Sequence, residues 1–429
     1  MTATYILPAC SFPTMKGLKL DAFPNLIAGD SGVFRARIFL RFATAFCLIS
    51  LGQLGWASRG AAEEAIKPTE IGEMYIAYRV EGSKYQPAKT RVFVIGQKLK
   101  NSVIKGFHPE AGDKLRIAGF GLSKPAEVKR LMSQHGNDVV LHTPSRPSIR
   151  LENVRLDAIE DANFQLELDR DGLFETFADD FDRLDWDSEG RSPEQQGKSV
   201  WRTNYGYGSP DAQASHTFPD NLQVYADPAF KGTAEKPLGV NPFHLVDGTL
   251  QIWAEPASDA IKPHIWGRGF TSGLITTKAS FSQLYGVFEM RARLPKGKGF
   301  WPAFWLLPVS GAWPPEIDIL EVLGHDMNTL NLTVHSNAEG FHTSDGLSVP
   351  VTNMASDFHI YAVDWEEDTI RWYFDGVEVA RRPAPKDMTT PSYMLINLGV
   401  GGAWPGSPDA TTKFPGVYAI DWVRAYRRR

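Results

Sequence analysis

Three acidic residues lie within one apolar hexapeptide, Glu316-Ile317-Asp318-Ile319-Leu320-Glu321. If this segment is a β-strand, its side chains alternate between two faces, so Glu316 and Asp318 share one face and the isoleucines occupy the other. Crowded carboxyl groups beside apolar neighbours resist ionisation, which suits them to acid–base chemistry. The alternative is a surface strand with scattered acids, and the apolar residues around the acids disfavour it.

Glu321 is out of phase with the other two acids, because simple alternation places it on the apolar face. A β-bulge at Ile319-Leu320 would insert one extra residue and return Glu321 to the acidic face. Two glutamates flanking an aspartate on one face resemble the pair that a retaining glycosidase uses, one as nucleophile and one as acid/base. The spacing therefore predicts a bulged strand that carries a glycoside-cleaving site.

Aromatic residues near the hexapeptide are candidates for binding sugar rings. Trp301 and Trp305 lie four positions apart in the preceding apolar run, so on a strand they face one side. Each indole could stack on a pyranose ring or pack in the core. Trp313 is ambiguous, and His342 is a loop residue without an assigned role.

The rest of the chain is typical of an all-β protein. It has 429 residues, with 12 Trp, 38 Gly and 29 Pro, which indicates short strands and tight turns. Strand-like runs include residues 74–80, 91–95, 114–117, 139–142, 249–254, 286–294, 370–374 and 393–399. Residues 125–134 have helical spacing. The net charge of −5 argues against a nucleic-acid partner.

Three regions are predicted: an N-terminal extension with a signal peptide (1–65), a β-rich accessory module (70–168) and a catalytic domain (173–429). Residues 42–58 form an uncharged run that follows Arg35, Arg37 and Arg41. This pattern is typical of a secretory signal and is short for a membrane span. We therefore expect a secreted, periplasmic or cell-surface protein with no stable membrane span. Both cysteines, Cys10 and Cys47, fall in the segment to be removed.

The segment GFWPAFWLLPVSGAWPPEIDILEVLG resembles the core of glycoside hydrolase family 16, in the branch with the signature Glu-x-Asp-x-x-Glu. SQLYGVFEMRARLP upstream, and LINLGVGGAWPG and AIDWVRAY downstream, fit the same family in the right order. The resemblance covers residues 174–429. It implies a β-jelly-roll, concanavalin-like sandwich with an open cleft, and endo-acting retaining hydrolysis of a β-glucan or a succinoglycan-type bacterial exopolysaccharide.

Carried over by position, the resemblance implies Glu316 as nucleophile, Asp318 as its electrostatic helper and Glu321 as acid/base. It also implies a set of substrate-binding residues: Trp301, Trp404, His335, Asn204, Arg268 and Asn397, with Trp305 retained as a stacking candidate. His335 could instead be a hydrogen-bonded core residue, and the polar residues could instead satisfy backbone groups.

The resemblance implies no cofactor for catalysis. It does suggest a structural calcium ion held by Asp180 and Asp421, because carboxylate oxygens suit calcium. The expected partner is a polysaccharide, and the expected state is a monomer.

Residues 112–166 resemble a small β module found beside hemolysin-type calcium repeats in secreted bacterial polysaccharide enzymes, although the chain has no run of such repeats. The module is interpreted as a glycan-binding or cell-surface unit, or as a passive spacer. Two alternatives to hydrolysis stay open for the whole chain: a lectin-like binding protein without catalysis, and a transglycosylase on the same fold.

Overall fold

The computed structural model describes residues 73–80, 90–97, 99–144, 148–187, 200–206 and 212–429. The predicted N-terminal extension and the apolar run 42–58 lie outside these ranges. All described residues belong to one compact unit, Ser58–Arg429. In the described part of the chain, no helix is both long and apolar enough to cross a membrane.

Strands dominate the described residues. The N-terminal part contains β1 (Glu73–Val80), β2 (Thr90–Gly96), β3 (Ser102–Ile104), β4 (Lys114–Ala118), β5 (Met132–His135), β6 (Asp138–His142), β7 (Ser148–Leu151) and β8 (Phe164–Gln165). It also contains helix α1 (Pro125–Arg130) and 3-10 turns at Pro109–Ala111, Leu156–Ala158 and Asp161–Asn163.

The larger C-terminal part contains β9 (Leu173–Asp179), β10 (Trp186–Asp187), β11 (Trp201–Arg202), β12 (Gln223–Tyr225), β13 (Phe243–Val246), β14 (Thr249–Pro256), β15 (Phe270–Ser272), β16 (Leu274–Thr276), β17 (Gly286–Arg293), β18 (Phe300–Pro308), β19 (Glu316–Glu321), β20 (Thr329–Ser336), β21 (Thr343–Pro350), β22 (His359–Trp365), β23 (Thr369–Phe374), β24 (Val377–Pro383), β25 (Ser392–Val400) and β26 (Gly416–Arg428). Helix α2 (Gln213–His216) and a 3-10 turn at Lys262–His264 complete it.

Two large sheets face each other, which confirms the all-β sandwich. Within the described ranges, one sheet runs β10-β11-β16-β25-β18-β19-β20-β21-β1-β2-β4-β8, and the other runs β12-β15-β14-β26-β17-β22-β23-β24, with β13 beside β14 and β9 beside β26. Strand β19 lies well inside the first sheet, so its backbone is held on both sides.

The core between the sheets comes from alternation along the strands. In β18 the inward residues include Phe300, Phe304 and Leu306, whereas Trp301 and Trp305 are partly exposed on the opposite face. Strand β22 of the facing sheet contributes Tyr361, Val363 and Trp365 to the same apolar cluster. Because one face of the first sheet is buried in this way, the other face can be open to solvent.

The N-terminal part has its own apolar cluster, which includes Ile95, Leu115, Val139 and Phe164. Its strands also join the sandwich, because β1 pairs with β21 on one side and with β2 on the other. The sheet that contains β19 therefore continues without interruption into the N-terminal part.

The helix predicted for residues 125–134 is shorter than expected. Helix α1 ends at Arg130, and Met132–His135 instead forms β5 in a hairpin with β6. Met132 is buried, so pairing and packing of this segment outweigh its helical spacing.

Candidate active site

Strand β19 contains the predicted bulge. Trp305 of β18 pairs with Asp318 and the preceding Phe304 pairs with Leu320, so Ile319 is the extra residue. The register with β20 shifts in the same interval, between Asp318 and Glu321. Ile319 and Leu320 are both almost fully buried. The bulge thus lets two consecutive residues enter the core while Glu321 returns to the face of the other two acids.

A different side chain from outside β19 lies next to each of the three acids. Trp313 Nε1 donates to Glu316 Oε2 at 2.5 Å, and Trp301 Nε1 donates to Glu321 Oε1 at 3.2 Å. His335 Nε2 lies 3.4 Å from Asp318 Oδ2. The carboxyl groups of Glu316 and Asp318 also share a hydrogen bond. These contacts orient the acids without neutralising them through a fixed arginine or lysine.

Burial raises the pKa of all three acids. Desolvation, followed by the charge of Asp318, raises the pKa of Glu316 to about 8, although His335 and Trp313 act in the opposite direction. Desolvation raises the pKa of Asp318 to about 7, while the hydrogen bond from Glu316 lowers it.

Desolvation raises the pKa of Glu321 well above its ordinary value, and the charges of Asp318 and Glu316 add to the effect. Near neutral pH the three groups therefore keep protons that isolated carboxyl groups would have lost. A carboxylate and a carboxylic acid can then coexist in one site, which is the requirement for paired nucleophilic and acid catalysis.

The raised pKa of Asp318 leads to a test of stability. Between its ordinary pKa of 3.8 and its pKa of about 7 in the folded chain, the folded state holds a proton that the unfolded state has lost. Stability due to this group therefore falls as pH rises through that window. We expect Asp318→Asn to gain roughly 2 kcal/mol over the wild type at about pH 8, and much less at about pH 5. Calorimetric unfolding at both pH values measures the difference, and a variant less stable at pH 8 would contradict it.

The predicted tryptophans and two predicted polar residues meet at the acidic face. The rings of Trp301 and Trp404 lie edge to face, with centroids 5.4 Å apart, beside Glu321. Trp305, which pairs with Asp318, donates through Nε1 to Asn397 Oδ1 at 2.7 Å. His335 pairs directly with Glu316. The structure therefore gathers these five candidates around the three acids.

Two other predicted residues make local contacts. Asn204 is fully buried, and its Oδ1 accepts hydrogen bonds from Arg202 and from the backbone of Gly206. Arg268 donates to the backbone oxygens of Pro219 and Asn221. These contacts order loops, which is the alternative role that the sequence left open. A sugar contact for Asn204 or Arg268 stays a prediction.

The two acids proposed for calcium are each paired with an arginine. Asp180 Oδ1 lies 2.8 Å from Arg424, and Asp421 is paired with Arg291. Calcium would need both carboxylates to turn away from these cations, so the residues as arranged do not form a ready cage. The calcium site therefore stays an untested prediction.

Sequence reasoning missed several residues of the site. Trp313 was left ambiguous although it donates to Glu316, and Thr333, which is hydrogen-bonded to Glu321, was not considered. Thr333 could have been found from strand parity, because it lies two positions before His335 and shares its face. His342, whose Nε2 lies 2.9 Å from His335 Nδ1, follows a loop and gives no comparable signal.

Comparison with known proteins places part of the chain in a family. Residues 244–424 match the model of "Glycosyl hydrolases family 16". The endo-1,3-1,4-beta-glycanases ExsH and EglC of Rhizobium meliloti (strain 1021) are both 41% identical to the chain over 315 and 314 residues, respectively. Each alignment covers 73% of this chain and 64% of the relative, so the chain spans less than two thirds of the length of either.

A solved structure supports the fold. The crystal structure of SCLam, described as a non-specific endo-beta-1,3(4)-glucanase from family GH16, is 25% identical with a TM-score of 0.50. The likeness covers 62% of this chain and 95% of SCLam. On the family match and these relatives together, residues 244–424 form a domain of glycosyl hydrolases family 16.

Proposed function

We propose that the chain is an endo-acting retaining hydrolase of β-glycosidic bonds in a mixed-linkage β-glucan or a bacterial exopolysaccharide. The observation that carries this proposal is the bulged strand β19, which presents Glu316, Asp318 and Glu321 on one face, with indole donors on the two glutamates and His335 beside Asp318. The family match over residues 244–424 and the activities of ExsH, EglC and SCLam support it.

The first step uses the two glutamates in opposite protonation states. The carboxylate of Glu316 attacks the anomeric carbon and forms a glycosyl ester, while the carboxylic acid of Glu321 gives its proton to the departing glycosidic oxygen. Asp318 takes up the proton that it shares with Glu316, so the nucleophile carries its charge when it attacks. Trp301 holds Glu321 in place through the bond from its indole nitrogen.

The second step reverses the role of Glu321. Its carboxylate removes a proton from water, the resulting hydroxide equivalent attacks the anomeric carbon, and Glu316 leaves as a carboxylate. Two displacements on the same carbon retain the β configuration. If a sugar hydroxyl arrives in place of water, the same intermediate gives transglycosylation.

Product analysis on a panel of polysaccharides tests the proposal. Lichenan, laminarin and succinoglycan are incubated with the wild type and with Glu316→Gln, and the first-formed anomer is followed by proton NMR. We expect oligosaccharides with a β reducing end from at least one polymer. Inert wild type on all three polymers, with binding retained, would favour the lectin-like alternative, and an α product would exclude the retaining mechanism.

Deletion of Ile319 tests the bulge directly. Its removal preserves the pairs that Asp318 and Leu320 make with β18, so the chain should still fold. We expect a loss of about 2–4 kcal/mol of stability, because a buried aliphatic side chain disappears. Hydrolysis should fall by about 10²-fold, because the deletion removes the extra local strand twist that orients the Glu321 side chain.

The matched control is Ile319→Val, which keeps the bulge and loses one buried methylene group. It should cost about 1 kcal/mol and leave the rate near that of the wild type. Denaturant unfolding and kcat/KM on the best polymer separate the two effects. A deletion variant with wild-type rate and product pattern would show that the bulge has no part in placing Glu321.

We propose that the protein is exported, since its substrate class is an extracellular polymer and residues 42–58 have the composition of a signal segment. Edman sequencing of protein secreted from the native host tests this. A mature N-terminus shortly after Ser58 is expected, whereas retention of residues 42–58 would overturn it.

A further inference from the structure

A second histidine stands behind His335. His342 precedes β21, at the end of the loop that follows β20, and its Nε2 lies 2.9 Å from His335 Nδ1. The two ring planes are within 20° of each other, with centroids 5.2 Å apart. This geometry is that of two imidazoles joined edge to edge by a hydrogen bond.

The other ring nitrogen of His335 faces the catalytic acids. His335 Nε2 lies 3.4 Å from Asp318 Oδ2, and Asp318 is only 3% exposed. The hydrogen bond from His342 restrains the His335 ring at Nδ1, and the partner at one ring nitrogen decides whether the other carries a proton. The group at His335 Nδ1 therefore controls what His335 offers to Asp318.

His342 can form a hydrogen bond with His335 whether His335 is neutral or cationic. Burial and the neighbouring charge of His335 lower the pKa of His342 to about 4, so it is neutral near pH 7. A neutral imidazole has one donor and one acceptor nitrogen. His342 Nε2 can donate to a neutral His335 or, as the other tautomer, accept from a cationic one. In both cases His335 Nε2 keeps its proton towards Asp318.

The loop that carries His342 is anchored. Asp387 accepts hydrogen bonds from Ser336 Oγ at 2.7 Å and from the backbone of Asn337 at 2.6 Å, and Thr343 Oγ1 donates to the Ser336 oxygen. The ring of Trp313 lies against His342 at 4.7 Å. The position of His342 is thus set by β20, by β21 and by the residue that also donates to Glu316.

We propose that His342 is a positioning residue for hydrolysis, which holds His335 with its Nε2 proton directed at Asp318 and so keeps Asp318 able to accept the proton of Glu316. This proposal rests on the proposed function for its kinetic consequence, but the protonation of His335 can be observed without any turnover. The titratable groups facing the pair are Asp318 and Glu316 on β19. Nearby on β21, Asp345 is paired with Arg382 at 2.7 Å, and Asp387 is engaged by the β20 loop.

The test compares two substitutions of the full chain. His342→Gln keeps a group that can both donate and accept, whereas His342→Phe keeps a flat ring and removes the hydrogen bond. We expect His342→Phe to lower kcat by about tenfold, the loss of one hydrogen bond, with little change in KM. His342→Gln should recover most of that rate. In His342→Phe the acid limb of kcat/KM should move up by about 0.5 pH unit, because fewer molecules then direct an Nε2 proton of His335 at Asp318.

A direct readout comes from nitrogen NMR of the histidine rings. Wild type and His342→Gln should show His335 protonated at Nε2, and His342→Phe should show a mixture of tautomers. His359, which is bonded to Asp375 at 2.8 Å on the other sheet, provides the control, since His359→Gln should leave the pH profile and the His335 signals unchanged. Thermal midpoints confirm that each variant is folded.

The opposite ranking would overturn the proposal. If His342→Phe keeps full rate while His342→Gln loses it, the ring acts by packing alone. Unchanged His335 signals in His342→Phe would also overturn it. A wild type inert on every polymer, with the expected NMR tautomers, would instead contradict the proposed function and leave the histidine arrangement intact.

Discussion

Replacement of Glu316 by alanine is expected to lower polysaccharide hydrolysis by at least about 10⁴-fold, because the covalent intermediate can no longer form. Trp313 Nε1 donates to Glu316 at 2.5 Å, and Glu316 shares a hydrogen bond with Asp318. The residual rate on the best polymer, measured as reducing ends released, gives the effect.

Chemical rescue separates a lost nucleophile from a distorted site. Sodium azide is small enough to enter the space left by the Glu316 side chain, and attack on an activated β-glycoside should yield the α-glycosyl azide. Glu255→Ala, on an exposed part of β14, is the matched control and should keep the wild-type rate. If azide gives no product, or gives the β-azide, Glu316 is not the nucleophile.

Replacement of Glu321 by glutamine should lower hydrolysis of the polysaccharide by about 10²–10⁴-fold, because the departing oxygen then leaves without a proton. The size of the loss should depend on the leaving group. An aryl glycoside with an acidic phenol needs no proton, so its first step should stay near the wild-type rate. Its second step should be slow, because water lacks a general base, and a burst of phenol should precede the steady state.

Stopped-flow measurement of that burst distinguishes Glu321 from Glu316. Glu316→Gln removes the nucleophile and should show no burst with any leaving group. A Glu321→Gln variant whose loss is equal for aryl and polysaccharide substrates would contradict the acid/base role. In the same variant the amide oxygen can still accept from Trp301 Nε1, and Trp301→Phe measures the contribution of that hydrogen bond by itself.

The local features of the site follow from the sequence. Parity along the hexapeptide predicts that Glu316 and Asp318 share a face, and the out-of-phase Glu321 requires the bulge that β19 contains. Alternation in β18 likewise sets Trp301 and Trp305 on one side. These predictions succeed because a strand imposes a period of two residues regardless of what lies around it.

The partners of the acids depend on contacts that parity does not encode. Trp313 reaches Glu316 from the turn before β19, and His342 reaches His335 across a loop. The direction of a side chain in a turn depends on the local backbone, and the sequence pattern gives no period from which to read it. The arginines that meet Asp180 and Asp421 were missed for a related reason, since strand register decides which cation faces which acid.

The junction between the N-terminal part and the sandwich has a consequence for solubility. Strand β1 covers the free edge of β21, and the segment around Glu167 and Leu168 pairs with the turn and start of β24, at the edge of the other sheet. Uncovered edges present unpaired backbone groups that recruit other strands. A shortened chain that begins at β9 would expose both edges at once and should self-associate. Covering these two sheet edges is thus a structural role of the N-terminal part that requires no ligand.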